Sequence, residues 1–127
     1  MKIQENYFYK LDNLKEVKVI WKKYDKANIL EIGVEYPTAI VDLDRFSGIP
    51  ITKEWLLKFG FFIVKTNGLI EATLPNFRFT LNQAKDYNGF FFCENENVLM
   101  NIDYVHEIQD LFSAFLKSDL VFSDSVS

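Results

Sequence analysis

Residues 48–61 contain the signals for a helix start, a short helix and a helix stop within one segment. The Thr52 hydroxyl can cap the start, and Gly60 supplies the left-handed conformation that ends the helix. Between them, Trp55 and Phe59 recur at helical spacing, so that one side of the helix is apolar. Because β-rich sequence lies on both sides of this segment, the chain must place one short helix between two groups of strands.

The first half of the chain alternates apolar and polar residues in the manner of antiparallel strands. It predicts a short edge strand at residues 7–9 and a longer strand that begins at Glu16. A return strand at residues 29–36, stopped by Pro37, forms a hairpin with the longer strand, and a third strand follows at residues 39–43. These elements together predict a β-meander.

The second half contains a strong hairpin signal, Asn67-Gly68, because both central residues of a type I′ turn need positive φ. We predict its strands at residues 61–66, 69–73, 77–81, 90–93 and 98–102. From Asp103, a natural N-cap, apolar residues recur at helical spacing. The predicted fold class is α+β: two antiparallel β-meanders with a short middle helix and a longer C-terminal helix packed on the sheet.

At 127 residues, of which 49% are hydrophobic, the chain has the size of one domain with a single core. We predict a globular domain over residues 1–122 and a frayed polar tail at residues 123–127. No apolar run reaches the roughly 18 residues of a membrane helix, and residues 1–7 lack the apolar centre of a signal peptide. The single cysteine excludes an internal disulfide, so we expect a soluble, cytoplasmic protein.

The residues that metal and nucleophile chemistry require are scarce. One His and one Cys are too few for a zinc site, and the five glycines are dispersed rather than gathered in a phosphate loop. Cys93 follows three phenylalanines, where a buried thiol that behaves as a small hydrophobe is favoured over a nucleophile. We therefore predict no cofactor, no metal and no catalytic residue, and a protein that is not an enzyme.

Charge is unevenly distributed along the chain, whose formal net charge is −4. Residues 1–26 carry seven Lys against four acidic residues, whereas residues 27–127 carry seven basic and fourteen acidic residues. This asymmetry permits an acidic surface that competes for a basic nucleic-acid channel, or a basic strip that contacts phosphate. For the basic strip, the candidate nucleic-acid-binding residues are Lys18, Lys22, Lys23 and Lys26.

Strand alternation separates these lysines, because Lys18 and Lys22 share one predicted face while Lys23 lies with Trp21 on the other. An ordinary solvated surface is therefore the favoured interpretation of the lysine cluster.

Two segments stand in an order that resembles a known family: Gly-Ile-Pro-Ile-Thr-Lys-Glu-Trp-Leu-Leu-Lys-Phe-Gly-Phe at residues 48–61, and Ile-Asp-Tyr-Val-His-Glu-Ile-Gln-Asp-Leu-Phe-Ser-Ala-Phe at residues 102–115. They resemble the Pro-(Ile/Leu)-Thr-x-x-Trp-Leu-x-x-(Phe/Leu)-Gly-Phe segment and the Tyr-Val-His-x-(Leu/Ile)-Gln helix of small proteins from Bacteroidetes phages and prophages. That family often opens with an Arg-Ile-Gly-Asn-type segment, for which residues 7–13 are a poor substitute.

The resemblance implies a phage-type inhibitor of host defence, similar to an anti-CRISPR protein. Such an inhibitor would bind a host RNA-guided nuclease in the host cytoplasm, such as the RNA-targeting type VI-B nuclease, and block or misdirect its guide or target RNA. Two alternatives stay open: a small nucleic-acid-binding module that uses the lysine- and aromatic-rich N-terminal strand, and a structural phage protein that forms homo-oligomers.

For the inhibitor, the polar stripe of the last helix is the expected partner-binding surface, because the opposite stripe must pack on the sheet. The acidic residues of two predicted loops are added to it. The candidate partner-binding residues are His106, Gln109, Asp110, Ser113, Lys117, Asp42, Asp44, Glu94 and Glu96.

Overall fold

The computed structural model describes residues 1–34, 38–75 and 77–115. Their contacts group the chain into two compact units, which divide between Ile49 and Pro50. Each unit contains one five-stranded antiparallel sheet, and the second also contains a short helix and a longer C-terminal helix. The predicted α+β class is thereby confirmed. The single domain over residues 1–122 stays a prediction, and the tail at residues 123–127 lies outside the described residues.

The first unit is built from five strands that form one sheet in the order β4-β3-β2-β1-β5. They are β1 (Phe8–Leu11), β2 (Lys15–Lys23), β3 (Lys26–Glu31), β4 (Ala39–Asp42) and β5 (Phe46–Ser47). Contrary to the predicted edge strand at residues 7–9, β1 lies inside the sheet because β5 returns to pair with it. A 3₁₀ turn, Leu43–Arg45, makes this return.

The return of β5 is held by the turn between β1 and β2. The Asp12 N–H donates to the Arg45 carbonyl at 2.9 Å, and Arg45 Nε donates to Asp12 Oδ1 at 2.9 Å. One face of the sheet forms the core of the unit. Its buried residues are Ile3, Tyr7, Tyr9, Leu11, Val17, Val19, Ala27, Ile29, Val41 and Phe46.

The hairpin between β2 and β3 is tight. Its turn consists of Tyr24 and Asp25 alone, and Tyr24 takes a φ of +57°. β3 therefore begins at Lys26, three residues earlier than the predicted strand, and Pro37 lies outside the described residues.

The second unit contains a plain meander in the order β10-β9-β8-β7-β6. Its strands are β6 (Phe62–Thr66), β7 (Leu69–Thr73), β8 (Phe79–Gln83), β9 (Phe90–Glu94) and β10 (Asn97–Ile102). Asn67 and Gly68 have φ values of +53° and +84°, as the predicted type I′ turn requires.

Both helices of the second unit follow from local signals. The first, α1 (Lys53–Lys58), is capped as predicted, because the Trp55 N–H donates to Thr52 Oγ1 at 3.3 Å. The second helix, α2 (Val105–Phe115), begins two residues after Asp103, which the sequence predicted as its N-cap. Its cap is the Glu107 carboxylate, which accepts 3.0 Å hydrogen bonds from the backbone N–H groups of Asp103 and Tyr104.

The core of the second unit lies between α2 and one face of the sheet. The Phe112 ring contacts Phe61 and Phe77, at centroid distances of 5.8 and 5.3 Å. Phe92 stacks on Phe79 at 4.8 Å. Aromatic side chains therefore supply much of the buried area of this unit.

Candidate partner-binding surface

The face of the second sheet opposite α2 is called here the outer face. Pairing across the strands defines it, because directly paired residues share a face. Its strand residues are Phe62, Val64, Thr66, Leu69, Glu71, Thr73, Thr80, Asn82, Phe91, Cys93, Val98 and Asn101. The alternate residues, such as Ala72, Leu81 and Phe92, are 0–2% exposed and belong to the core.

Large apolar side chains are exposed on the outer face. Phe62 is 63% exposed, Val64 56% and Leu69 52%, and they lie on the adjacent strands β6 and β7. Single exposed apolar residues are ordinary on protein surfaces, whereas adjacent ones mark interaction sites. On β10, at the opposite edge of the sheet, Val98 is 58% exposed. The outer face thus has the composition of a docking surface.

A groove of about 490 Å³ runs across this face. One row of paired residues crosses it, from Val64 to Glu71, Asn82 and Phe91 on successive strands, and Leu69 adds an apolar wall. Among the strand residues that define the outer face, Glu71 is the sole charged one. An apolar groove with one carboxylate suits an apolar protein segment that carries a basic side chain.

Asn82, which lines this groove, has a side-chain oxygen without a hydrogen-bond donor among the described residues. Its Oδ1 is buried and accepts no hydrogen bond from the described residues. A buried acceptor without a donor costs free energy in the folded state.

The predicted stripe of α2 is exposed only in part. Asp110 and Ser113 are exposed, as expected, and His106 is half-buried. Gln109, however, is only 4% exposed, because it lies between Val105 and Phe112 on the side of α2 that packs on the sheet. The expectation that Gln109 faces solvent was therefore wrong, and Lys117 lies outside the described residues.

The neighbours of His106 determine the orientation of its ring and its pKa. Its ring stacks on Tyr104 with centroids 5.6 Å apart and planes 8° from parallel. Burial lowers the pKa of His106 below its usual value, although the carboxylates of Glu107 and Asp110 act in the opposite direction. The side chain is therefore neutral near pH 7.

Asp110 also lines a shallow groove between β10 and α2. Met100, Ile102 and Leu111 supply its apolar surface, and Glu107 supplies a second carboxylate. The sequence placed Asp110 on an exposed helix stripe, but it gave no sign that an edge strand would lie beside it.

The four predicted loop carboxylates lie on different kinds of element. Asp42 ends β4 and is ion-paired with Lys26, while Asp44 is exposed in the 3₁₀ turn. Glu94 belongs to β9 rather than to a loop and accepts from Arg78 Nε at 2.9 Å. Glu96 lies exposed in the following turn.

The predicted distribution of the lysines over the two faces of β2 was wrong, because β2 contains a β-bulge. The register to β3 shifts between Val19 and Trp21, which adds one residue to β2 and reverses the alternation. Lys18, Trp21 and Lys23 therefore share one face, whereas Lys22 pairs with buried Ala27 on the other.

Lys26 lies in a mixed rather than a basic environment. It pairs with Asp42, and that hydrogen bond, with smaller contributions from Asp25 and Asp44, raises the pKa of Lys26. Its charge is thus largely compensated where a phosphate would have to bind.

Sequence reasoning missed the apolar residues of the outer face. The signal was present in Phe61-Phe-Ile-Val64, where apolar residues occupy both faces of the strand and not only the face that packs on α2. Such a run is typical of a strand covered on both sides, so its exposure became evident only from the sheet order.

Within the described ranges, no group of three or more His, Cys, Asp or Glu side chains is placed to hold a metal ion. Cys93 is buried, as its neighbours suggested. The helices of the same ranges are too short or too polar to cross a membrane. Comparison with known protein families, curated proteins and solved structures finds no match. The fold therefore defines only a class, an α+β protein with two five-stranded antiparallel sheets.

Proposed function

We propose that this protein is a non-catalytic inhibitor that binds a host RNA-guided nuclease through the outer face of the second sheet. The observation that supports docking is the adjacent exposure of Phe62, Val64 and Leu69 beside a groove of about 490 Å³. The choice of an RNA-guided nuclease as the partner, such as a type VI-B nuclease, rests on the resemblance of residues 48–61 and 102–115 to phage proteins.

The residues that line the groove indicate the chemistry of the partner. Apolar side chains of the nuclease would fill the space between Val64, Leu69 and Phe91, and a basic side chain would face Glu71. Nucleases that hold a guide RNA present Lys and Arg along the RNA path. A basic segment captured on the outer face would then be withheld from guide or target RNA.

The direct test is a pull-down of the purified nuclease, with and without guide RNA. We expect Leu69→Glu to weaken binding by about tenfold or more, because it places a charge in the apolar contact. Leu14→Glu is the matched control, since Leu14 is 76% exposed in the first unit. The proposal would be refuted if the unmodified protein bound the nuclease neither with nor without guide RNA. It would also be refuted if Leu69→Glu and Leu14→Glu weakened binding equally.

Three further variants separate the outer face from the surface predicted by sequence. Glu71→Lys should weaken binding by about tenfold through charge repulsion, while Glu96→Lys and Asp110→Lys should change it by less than about twofold. The reverse order would move the site to α2 and the acidic turn, and would return support to the residues predicted there.

A nucleic-acid-binding function is the second candidate, favoured by one observation. The bulge in β2 brings Lys18, Trp21 and Lys23 to one face, and the neighbouring Tyr24 is 86% exposed. Lysines beside aromatic rings suit single-stranded RNA or DNA. Binding of a labelled oligonucleotide should then weaken steeply with salt and with Lys18→Glu plus Lys23→Glu. Salt-insensitive binding would count against this function.

A further inference from the structure

The two edges of the second sheet differ in their protection. β10 carries a bulge between Val98 and Met100, a common device that turns an edge away from other strands. β6 pairs with β7 in unbroken register, contains no proline, and has four exposed residues among its five. β6 is therefore the edge at which a further strand can be added.

The hairpin determines which backbone N–H and C=O groups of β6 point away from the sheet. The two-residue turn closes on the pair Thr66 and Leu69, which is hydrogen-bonded in a type I′ hairpin. Because hydrogen-bonded and non-hydrogen-bonded pairs alternate, Val64 also bonds to β7. Ile63 and Lys65 consequently direct their N–H and C=O groups away from the sheet.

We propose that two copies of the chain pair antiparallel through β6, with a two-fold axis at Val64, to form one ten-stranded sheet. In this register Ile63 of each copy exchanges two backbone hydrogen bonds with the second copy's Lys65. Val64 then lies opposite the second copy's Val64. This inference does not depend on the proposed inhibitor function.

The side chains of β6 favour a second copy in this register. Phe62 lies opposite the second copy's Thr66, an aromatic and β-branched pair of the kind that stabilises neighbouring strands. Lys65, the sole charge of β6, lies opposite Ile63. An axis at Lys65 would instead place two ammonium groups opposite each other, which is destabilising. The Val64 axis also makes the apolar patches of the two outer faces continuous.

Sedimentation equilibrium of the intact protein, from about 1 to about 200 μM, provides the test. We expect a concentration-dependent rise from the 14.9 kDa chain mass towards twice that value. Lys65→Pro removes an N–H that points away from β7 and should raise the dimer dissociation constant about tenfold or more. Lys65→Ala is the matched control, because it removes the same side chain and keeps the N–H.

A cysteine pair provides a measurement that does not depend on the folding of the proline variant. Opposite Val64 residues would have Cα atoms about 4.5 Å apart, within the range of a disulfide. Val64→Cys should therefore form a disulfide-linked dimer under mild oxidation, whereas Thr66→Cys should not. A wild-type mass that stays at one chain throughout the concentration range would overturn the proposal. Equal crosslinking of the two cysteine variants would overturn the register.

Discussion

At the scale of single residues, His106 connects burial to pH dependence. Burial holds its pKa in the folded protein below 6.5, so the unfolded chain binds more protons below that pH. The stability that depends on neutral His106 is complete above pH 6.5 and is lost as the pH falls through the lowered folded-state pKa. We predict that His106→Gln reduces the loss of stability between about pH 7.5 and about pH 5.5.

Urea unfolding of both proteins at the two pH values measures this difference. The carboxylates are the same in both proteins, so their contributions cancel in the comparison. An equal fall of the two urea midpoints would show that another group controls the stability in this range.

At the scale of elements, the start of α2 depends on one side chain. Glu107 accepts hydrogen bonds from the N–H groups of Asp103 and Tyr104, and its charge also suits the helix N-terminus. We predict that Glu107→Ala lowers the free energy of unfolding by about 1 kcal/mol, with Glu107→Gln intermediate because it keeps an acceptor. Urea unfolding at neutral pH orders the three proteins, and a wild-type midpoint in the alanine variant would contradict this cap.

The sequence predicted most elements of the fold because their signals are local. Thr52 and Asn67-Gly68 act through their own backbone neighbourhoods, and both behave as predicted. Long-range features could not be read in this way. The β-bulge after Val19 depends on pairing with β3, and the burial of Gln109 depends on how α2 lies on the sheet.

Prediction of the candidate site was limited in the same way, because the site also depends on long-range features. Exposure of Phe62 and Val64 depends on the position of β6 at the end of the sheet, which composition and alternation do not encode. The polar stripe of α2 could be predicted because helical periodicity is local, and it correctly placed Asp110 and Ser113 on the surface.

At the scale of the whole molecule, the two units differ in size and in their means of stabilisation. The first spans Met1–Ile49 and has no α-helix among its described residues, whereas the second adds α1 and α2 to its sheet. Because small units bury a smaller share of their surface, we predict that the first unit unfolds at the lower urea concentration.

A Trp21→Phe variant makes this order measurable, since the remaining Trp55 lies in α1 and is only 4% exposed. Its fluorescence then follows the second unit, while far-UV circular dichroism follows both sheets. We expect the dichroism to change first, and the wild-type dichroism curve should show the same early step, which excludes an effect of the substitution. Coincident transitions would instead support the single domain predicted from the sequence, because one cooperative unit gives the same midpoint with every probe.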